Sequence, residues 1–307
     1  MTRTLTATAA LLTLSACTPS TDALTEVLPD ERIEVNLPVD SFAATARGDL
    51  GEWSEFYVQT AETTENVNGL IANVLHLVDT LVHLRPSEVD RRGHRAVWGP
   101  YSDTLDPVET TLTVEYDPAT DTHTWWFTTW PKGDEAAAVV VIAGEVDAGA
   151  TRDTSTGRFV VDFTTLAELD PTTDVAGTFT SEYAIDFDAV TATAWFQDWV
   201  DLHAPQAPID AGYAYSQTTG GSGTMDLAWQ SDYGDDGTLD VYVLRSRWEA
   251  DGQGRGDAVL VEEGEEVLAA ASECWDDRFQ LVWRADSWEG ELGDASACVY
   301  GEASWPE

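Results

Sequence analysis

The chain has 307 residues, and its 56 Asp and Glu against 15 Lys and Arg give a formal net charge of −41. Because this charge repels a phosphate backbone, nucleic acid is excluded as a natural partner. Hydrophobic residues make up 43% of the chain, with 13 Trp, which excludes general disorder and allows a sizeable core. The acid excess has two interpretations, adaptation to salty surroundings or binding of divalent cations, and we favour the first.

The first 16 residues have the features of a secretory signal peptide. Arg3 supplies a positive charge, and the residues from Leu5 to Leu14 form an apolar run without charges. This run is about half of the roughly 20 residues that a membrane-spanning helix needs, so we set aside an uncleaved anchor helix. The residues Leu14-Ser15-Ala16-Cys17 resemble the lipobox of bacterial lipoproteins.

This resemblance implies that Cys17 becomes the lipidated first residue of an exported protein held in the cell envelope. The residue after the cysteine is Thr18 rather than the Asp that favours inner-membrane retention in that class, which indicates the outer membrane. We therefore expect a signal peptide over 1–16, a lipidated tether over 17–48 and a single domain over 49–307. The expected partner is a membrane, contacted through the lipid.

A wide apolar stripe predicts one long helix after the tether. Its residues recur at helical spacing from Val67 to Val82, and Trp53, Phe56 and Tyr57 extend it backwards. Pro86 ends the pattern, because the residue before a proline disfavours the helical conformation. The prediction is a helix from about Glu52 to Leu84, with a break allowed near Asn66 to Gly69.

Beyond Pro107 the period changes to two and tight turns recur, which predicts an antiparallel meander. The predicted strands are Thr111–Tyr116, His123–Trp130, Ala138–Val146, Arg158–Thr165, Thr178–Asp186, Val190–Trp199, Ala211–Gln217, Thr224–Ser231, Thr238–Trp248, Asp257–Val261, Phe279–Arg284 and Ala297–Tyr300. The fold class is mainly β (α+β). An N-terminal amphipathic helix is expected to pack on a large curved antiparallel sheet or a partly closed barrel.

Two cysteines remain for the folded body, Cys274 and Cys298. An exported protein folds in an oxidising compartment, so we expect them to form one disulfide, stabilising the fold by roughly 3 kcal/mol. Free thiols and a metal pair are the alternatives, but no Cys or His spacing typical of a metal site supports the second.

Three arginines, Arg91, Arg92 and Arg95, are concentrated in a chain that has few basic residues. Guanidinium groups bind carboxylates and other anions well, so these residues are candidates for anion binding. Internal neutralisation of the acidic body, or a loop facing lipid headgroups, explains the same cluster, and we favour that group of explanations.

No cofactor is expected, and the candidates for metal binding are few. Asp232, Asp235 and Asp236 cluster at one turn and are candidates for calcium, although the EF-hand pattern fails there. An Asp-Gly hairpin turn explains them without metal. His76 and His83 stand two turns apart on the polar side of the helix, too far for a close i, i+4 pair, and we interpret them as solvated.

Signatures of catalysis are missing, so a non-enzymatic role is favoured. Ser222 lies in a Gly-rich turn that lacks the nucleophile-elbow pattern. Gly252, Gly254 and Gly256 are interpreted as a loop between strands. The tripeptide Arg255-Gly256-Asp257 matches an adhesion motif by chance.

Since neighbouring strand residues face opposite sides, Trp125 and Trp126 cannot both line the core, and one of them is a candidate for contact with an apolar or saccharide ligand.

The C-terminal region, from Ser246-Arg247-Trp248 to Gly254-Arg255-Gly256-Asp257 and then Ser272-Glu273-Cys274-Trp275, resembles uncharacterised lipoproteins of high-GC Gram-negative bacteria. The order of elements is similar to that of periplasmic lipoprotein-carrier proteins. We expect a membrane-anchored envelope lipoprotein with a binding or scaffolding role. The alternatives are a carrier of an apolar ligand or lipid in a cavity between helix and sheet and, third, a secreted hydrolase.

Overall fold

The computed structural model describes residue 24 and residues 49–147, 154–204, 207–234, 237–262 and 266–305. In these residues two α-helices and fifteen β-strands follow one another. The helices are α1 (Glu55–Val82) and α2 (Phe163–Leu169). The strands are β1 (Glu88–Val89), β2 (Arg95–Tyr101), β3 (Val108–Asp117), β4 (Thr122–Pro131), β5 (Val139–Asp147), β6 (Ser155–Asp162), β7 (Val175–Ile185), β8 (Ala189–Asp201), β9 (Ile209–Thr218), β10 (Gly223–Ser231), β11 (Asp240–Trp248), β12 (Gly254–Val261), β13 (Val267–Trp275), β14 (Leu281–Asp286) and β15 (Gly290–Gly293).

All fifteen strands form a single sheet in which each strand pairs with the next one along the chain. The strand pairs are antiparallel, and within the described residues β1 and β15 do not pair with each other. The expected class is confirmed: the fold is mainly β, with one long helix packed on a curved antiparallel sheet that does not close.

Helix α1 is continuous over 28 residues and lies against the inner face of the sheet. Ser54 caps its start, because the Ser54 side chain accepts a hydrogen bond from the backbone N–H of Tyr57. The predicted stripe is buried: Ile71 is 3% exposed, and Leu75 and Val78 are fully buried. The break allowed near Gly69 is absent, since the apolar stripe continues through that turn and keeps it on the sheet.

One hydrophobic core joins this stripe to inward-facing side chains from β2 to β12. Inner residues of successive strands stand opposite one another, as Phe127 does with Leu112 on one side and Ile142 on the other. A helix buried by so many strands requires the sheet to curve around it. Leu24, which falls in the range predicted as a tether, is 2% exposed and belongs to this core.

Several element boundaries differ from the predictions for local reasons. Strand β6 ends at Asp162 rather than Thr165, because the Asp162 carboxylate accepts the backbone N–H of Thr165 and starts α2. The predicted strand Ala297–Tyr300 is wrong: residues Ala295–Ala297 form a 3₁₀ turn, and the chain then runs on without a strand. Strands β1, β2, β13 and β15 were not predicted.

Candidate functional site

A cleft of about 530 Å³ lies between the first turns of α1 and the inner face of the sheet near its C-terminal end. Its volume falls in the range of about 300–1,000 Å³ typical of small-molecule sites. The cleft is lined by Glu55, Phe56, Val58, Gln59, Glu62, Trp229, Tyr233, Tyr242, Ala258, Val259, Leu260, Ala269, Ala270, Ala271, Glu273, Arg284 and Trp288. Most of these are apolar or aromatic, so the site suits a ligand with an apolar part.

The cleft exists because small side chains face the helix on β12 and β13. Ala258 stands opposite Ala271 in the strand register, and side chains of this size do not fill the space beneath α1. Directly beside them Gly256 stands opposite Glu273, and here the helix approaches the sheet closely. A Cβ atom on Gly256 would lie only 2.7 Å from the Cβ of Phe56.

The interpretation of the GxGxG segment as a loop is wrong, because two of its glycines, Gly254 and Gly256, lie in β12. Gly254 lies against a ring as Gly256 lies against the helix, because a Cβ there would overlap the Cζ2 atom of Trp275. Both positions require a residue without a side chain. Strand β12 begins at Gly254, three residues earlier than predicted.

Glu273 is the buried acid of the cleft, with 2% of its surface exposed. Its Oε2 atom accepts two hydrogen bonds, from the Ser54 hydroxyl at 2.7 Å and from the backbone N–H of Phe56 at 3.0 Å. Burial raises the pKa of this carboxyl above its ordinary value, while these two hydrogen bonds oppose the rise. The carboxylate thus holds the N-terminus of α1, whose dipole favours a negative charge.

Three aromatic side chains form one wall of the cleft. The rings of Trp229 and Tyr242 are 4.4 Å apart between centroids, and Trp229 Nε1 donates to the Tyr233 hydroxyl at 2.6 Å. Tyr242 in turn donates its hydroxyl proton to the Gln59 side chain on α1 at 2.8 Å. Burial raises the pKa of Tyr242, and the nearby carboxylates Glu55 and Glu273 add to the rise.

The charges around the cleft are mainly negative. Glu55 and Glu62 are exposed on α1 at the rim. Among the described residues that line the cleft, Arg284 is the one with a positive charge, and its guanidinium contacts Glu289 at 2.7 Å and Asp286 at 3.3 Å. Since both contacts are to acids of the β14–β15 hairpin, Asp286 at the end of β14 and Glu289 in the turn, the arginine adds little net positive potential.

The predicted arginine cluster lies away from this cleft. Arg91 and Arg92 are exposed in the turn between β1 and β2. Arg95 lies at the start of β2, where its guanidinium is 3.6 Å from the carboxylate of Glu88. None of the three lines the cleft, and anion binding there remains a prediction.

The calcium candidates are only partly described. Asp235 and Asp236 lie outside the described residues, and Asp232 accepts the backbone N–H of Gly237 at 2.9 Å, as expected for a turn. On the helix, His83 is exposed and lies beside Asp79. Within the part of the chain that the structure describes, no group of three or more His, Cys, Asp and Glu residues could hold a metal ion.

Cys274 and Cys298 form the predicted disulfide, with their Cα atoms 5.4 Å apart. The bond fixes residues 298–305, the C-terminal strap, across the outer face of β11 to β13. Arg255 donates to the carbonyl of Tyr300 at 3.0 Å, and Asp257 accepts the backbone N–H of Ser304 at 3.0 Å. Further contacts run from Arg245 to Trp305 and from Arg247 to Glu302.

The adhesion tripeptide is accordingly inaccessible, since Arg255 is 4% exposed and Asp257 is fully buried beneath the strap. Trp125 and Trp126 point to opposite faces of the sheet, as the alternation of strand residues predicts. Trp125 is buried on the inner face, whereas Trp126 is half-buried on the outer face.

Sequence reasoning did not identify the cleft residues. Of the cleft residues, Glu273 has the clearest signal in the sequence, because it is a lone acid inside the strand sequence Ala269–Trp275. It faces the same side of the sheet as Ala269 and Ala271. Its partners Ser54 and Phe56 are more than two hundred positions away, at separations of 219 and 217 residues. Only the folded register brings them together.

The chain matches no protein-family model, no curated protein and no solved structure. Cys17 and the predicted signal peptide lie outside the described residues. Of the helices in the described ranges, neither combines the length and the apolar character needed to cross a membrane.

Proposed function

We propose that the protein is a membrane-anchored envelope lipoprotein with a non-enzymatic binding role, and that its ligand occupies the cleft between α1 and the sheet. The observation that carries the proposal is the cleft itself. It has a suitable volume, a largely apolar lining and a small number of polar groups, Glu273 and Tyr242 among them, that converge on it. The membrane anchor rests on the lipobox resemblance at Cys17.

A binder fits these observations better than a carrier that encloses its whole cargo. A carrier needs space along the apolar stripe of the helix. Here the stripe is packed: Ile71, Leu75 and Val78 each have no more than 3% of their surface exposed. The cleft lies instead at the N-terminal end of α1, where its volume of about 530 Å³ suits a small ligand with an apolar part.

A hydrolytic role receives no support from the cleft. Its buried acid, Glu273, is engaged in holding the helix N-terminus through Ser54 and Phe56. In the part of the chain that the structure describes, no serine, threonine or cysteine lines the cleft.

The test of ligand binding is native mass spectrometry of the protein purified from its own cells. We expect a bound small molecule in the wild-type protein and its loss in Ala271→Trp, which fills the cleft. Ala143→Trp is the matched control, because Ala143 is exposed on the outer face of β5 and should leave the ligand in place. An empty wild-type protein, or equal loss from both variants, would contradict the proposal.

The test of the anchor is separate. Cys17→Ala should release the protein from the membrane fraction, while Thr18→Ala should leave it there. If Cys17→Ala stays with the membranes, the lipoprotein assignment is wrong, although the cleft could still bind its ligand.

A further inference from the structure

The cleft has a chemical preference that follows from its charges. The described residues of its lining contribute three carboxylates, on Glu55, Glu62 and Glu273, and one guanidinium, on Arg284. The guanidinium already contacts two acids, Asp286 at the end of β14 and Glu289 in the turn that follows. An anionic ligand would therefore enter a region of negative potential inside a protein of net charge −41.

The N-terminus of α1 does not offset this repulsion. A free helix N-terminus attracts anions through its unpaired backbone N–H groups. Here the N–H of Phe56 and the hydroxyl of Ser54 both donate to Glu273. The protein's own carboxylate occupies the place that an anion would take.

The aromatic wall adds a feature that cations use. Trp229 and Tyr242 are in contact, and Trp229 donates to the hydroxyl of Tyr233, so the three rings form one cluster beside the acids. Ring faces attract cations, and the attraction is strongest for tryptophan. The Glu55 and Glu273 carboxylates line the same cleft as the rings of Trp229 and Tyr242, so negative charge and aromatic side chains share one space.

We infer that the ligand of the cleft is a cationic amphiphile, in which an amine or quaternary ammonium group is attached to an apolar chain or ring. The ammonium group lies against the rings of Trp229 and Tyr242 with Glu55 and Glu62 at the rim. The apolar part lies over the small residues Ala258 and Ala271. This inference rests on the proposed function, that the cleft binds a ligand.

The experiment is isothermal titration calorimetry of the full chain at 0.15 M NaCl with three probes that share one alkyl chain. The probes are hexyltrimethylammonium, hexyl sulfate and hexyl glucoside, all used below micelle formation. We expect the cationic probe to bind at least tenfold more tightly than the other two, and Ala271→Trp to abolish its binding.

Variants separate the cleft from the general acidity of the surface. Trp229→Leu should weaken the cationic probe about tenfold, whereas Trp195→Leu, at a tryptophan 41% exposed on the outer face, should change it less than twofold. The double variant Glu55→Gln/Glu62→Gln should weaken it about fivefold. Glu115→Gln/Glu135→Gln removes the same charge from exposed positions elsewhere and should have no comparable effect.

The outcomes distinguish a failure of the proposed function from a failure of the inference about the charge of the ligand. If no probe binds, or if Ala271→Trp binds as well as the wild type, the cleft is not the ligand site and the proposed function itself fails. If the sulfate or the glucoside binds as tightly as the ammonium probe, the cleft binds ligands but the inference about charge is wrong. Equal losses in both double variants would likewise overturn it, since general charge would then explain the preference.

Discussion

The close approach of α1 to the sheet at Gly256 makes a strong prediction about stability. In Gly256→Ala the new Cβ would lie 2.7 Å from the Cβ of Phe56 and 3.0 Å from its Cδ2. The first of these neighbours is joined directly to the helix backbone, so a rotation of the ring cannot relieve the contact. The first turn of α1 must move instead, and the hydrogen bond from the Phe56 N–H to Glu273 must lengthen.

The size of the effect follows from opposing contributions. Replacing a strand glycine by alanine stabilises a protein by about 0.5–1 kcal/mol when there is room. Overpacking costs about 1–3 kcal/mol, and a weakened hydrogen bond to a buried charged group costs about 1.5–3 kcal/mol when it is lost. We expect a net loss of about 2 kcal/mol in the free energy of unfolding. For a domain of this size this lowers the melting temperature by about 4 °C.

The matched control is Gly212→Ala, at another strand glycine, on β9. There the new Cβ would be 3.6 Å from the nearest atom, Cδ1 of Trp195, which is an ordinary contact. Differential scanning calorimetry should show an unchanged or slightly higher melting temperature for this control. In a double-mutant cycle, Phe56→Gly should recover more of the loss in Gly256→Ala than Phe56→Ala does, because alanine removes the ring but keeps the obstructing Cβ, whereas glycine removes both. If Gly256→Ala melts with the wild type, the assigned packing of α1 on β12 is wrong.

Three further predictions concern the disulfide, the buried acid and the net charge. Cys298→Ser should lower the free energy of unfolding by about 3 kcal/mol. A reductant should lower the free energy of unfolding of the wild type to that of the variant and leave the variant unchanged. A reductant effect on both proteins would contradict this prediction. Glu273 has a folded pKa above its ordinary 4.5, so its stabilising contribution is fully present below that value and is lost as the pH rises through the folded pKa. Wild type should therefore gain stability relative to Glu273→Gln in urea titrations as the pH falls from 7 to 4.5, and a constant difference would refute the burial argument. With a charge of −41, the melting temperature should rise with NaCl as repulsion is screened; a larger rise with CaCl₂ at equal ionic strength would favour the calcium site that includes Asp232.

Elements with a clear period were predictable from the sequence. The helix was placed within three residues of its observed start at Glu55, because its apolar stripe recurs at helical spacing over seven turns. The hairpin of β3 and β4 was likewise predicted from alternating residues on either side of Asp117–Asp121. In both cases the residues that are apolar in the sequence pattern are those that the fold buries, so the pattern alone predicts the element.

Elements without such a pattern were missed for identifiable reasons. Strand β13 contains three consecutive alanines, Ala269–Ala271, which favour helix and show no alternation. Strand β2 contains Gly99 and Pro100, residues typical of turns, at the point where its pairing with β3 shifts. Their strand conformation comes from the neighbouring strands and not from local preference.

The candidate site was beyond sequence reasoning for a stronger reason. Glu273 holds the helix only because it stands opposite Gly256 and accepts the N–H of Phe56. This arrangement depends on the register of two strands and on the position of a helix more than two hundred residues earlier in the chain. Among 56 acids, no local feature distinguishes Glu273, which is buried beside the cleft, from the acids that are exposed. The tryptophans present the same problem, since Trp229 differs from the others only in the rings and carboxylates around it.

The two faces of β13 connect the disulfide to the cleft. Because neighbouring residues on a strand point to opposite faces, Glu273 faces the cleft while Cys274 faces outward and joins the C-terminal strap. On β12 the same alternation places Gly256 under the helix and Asp257 under the strap. The strands that form the floor of the cleft are thus held from behind by a covalent bond and by the buried Asp257 carboxylate. A rigid floor reduces the conformational freedom that a ligand must remove on binding, so the strap favours a preformed cleft over one that the ligand has to open.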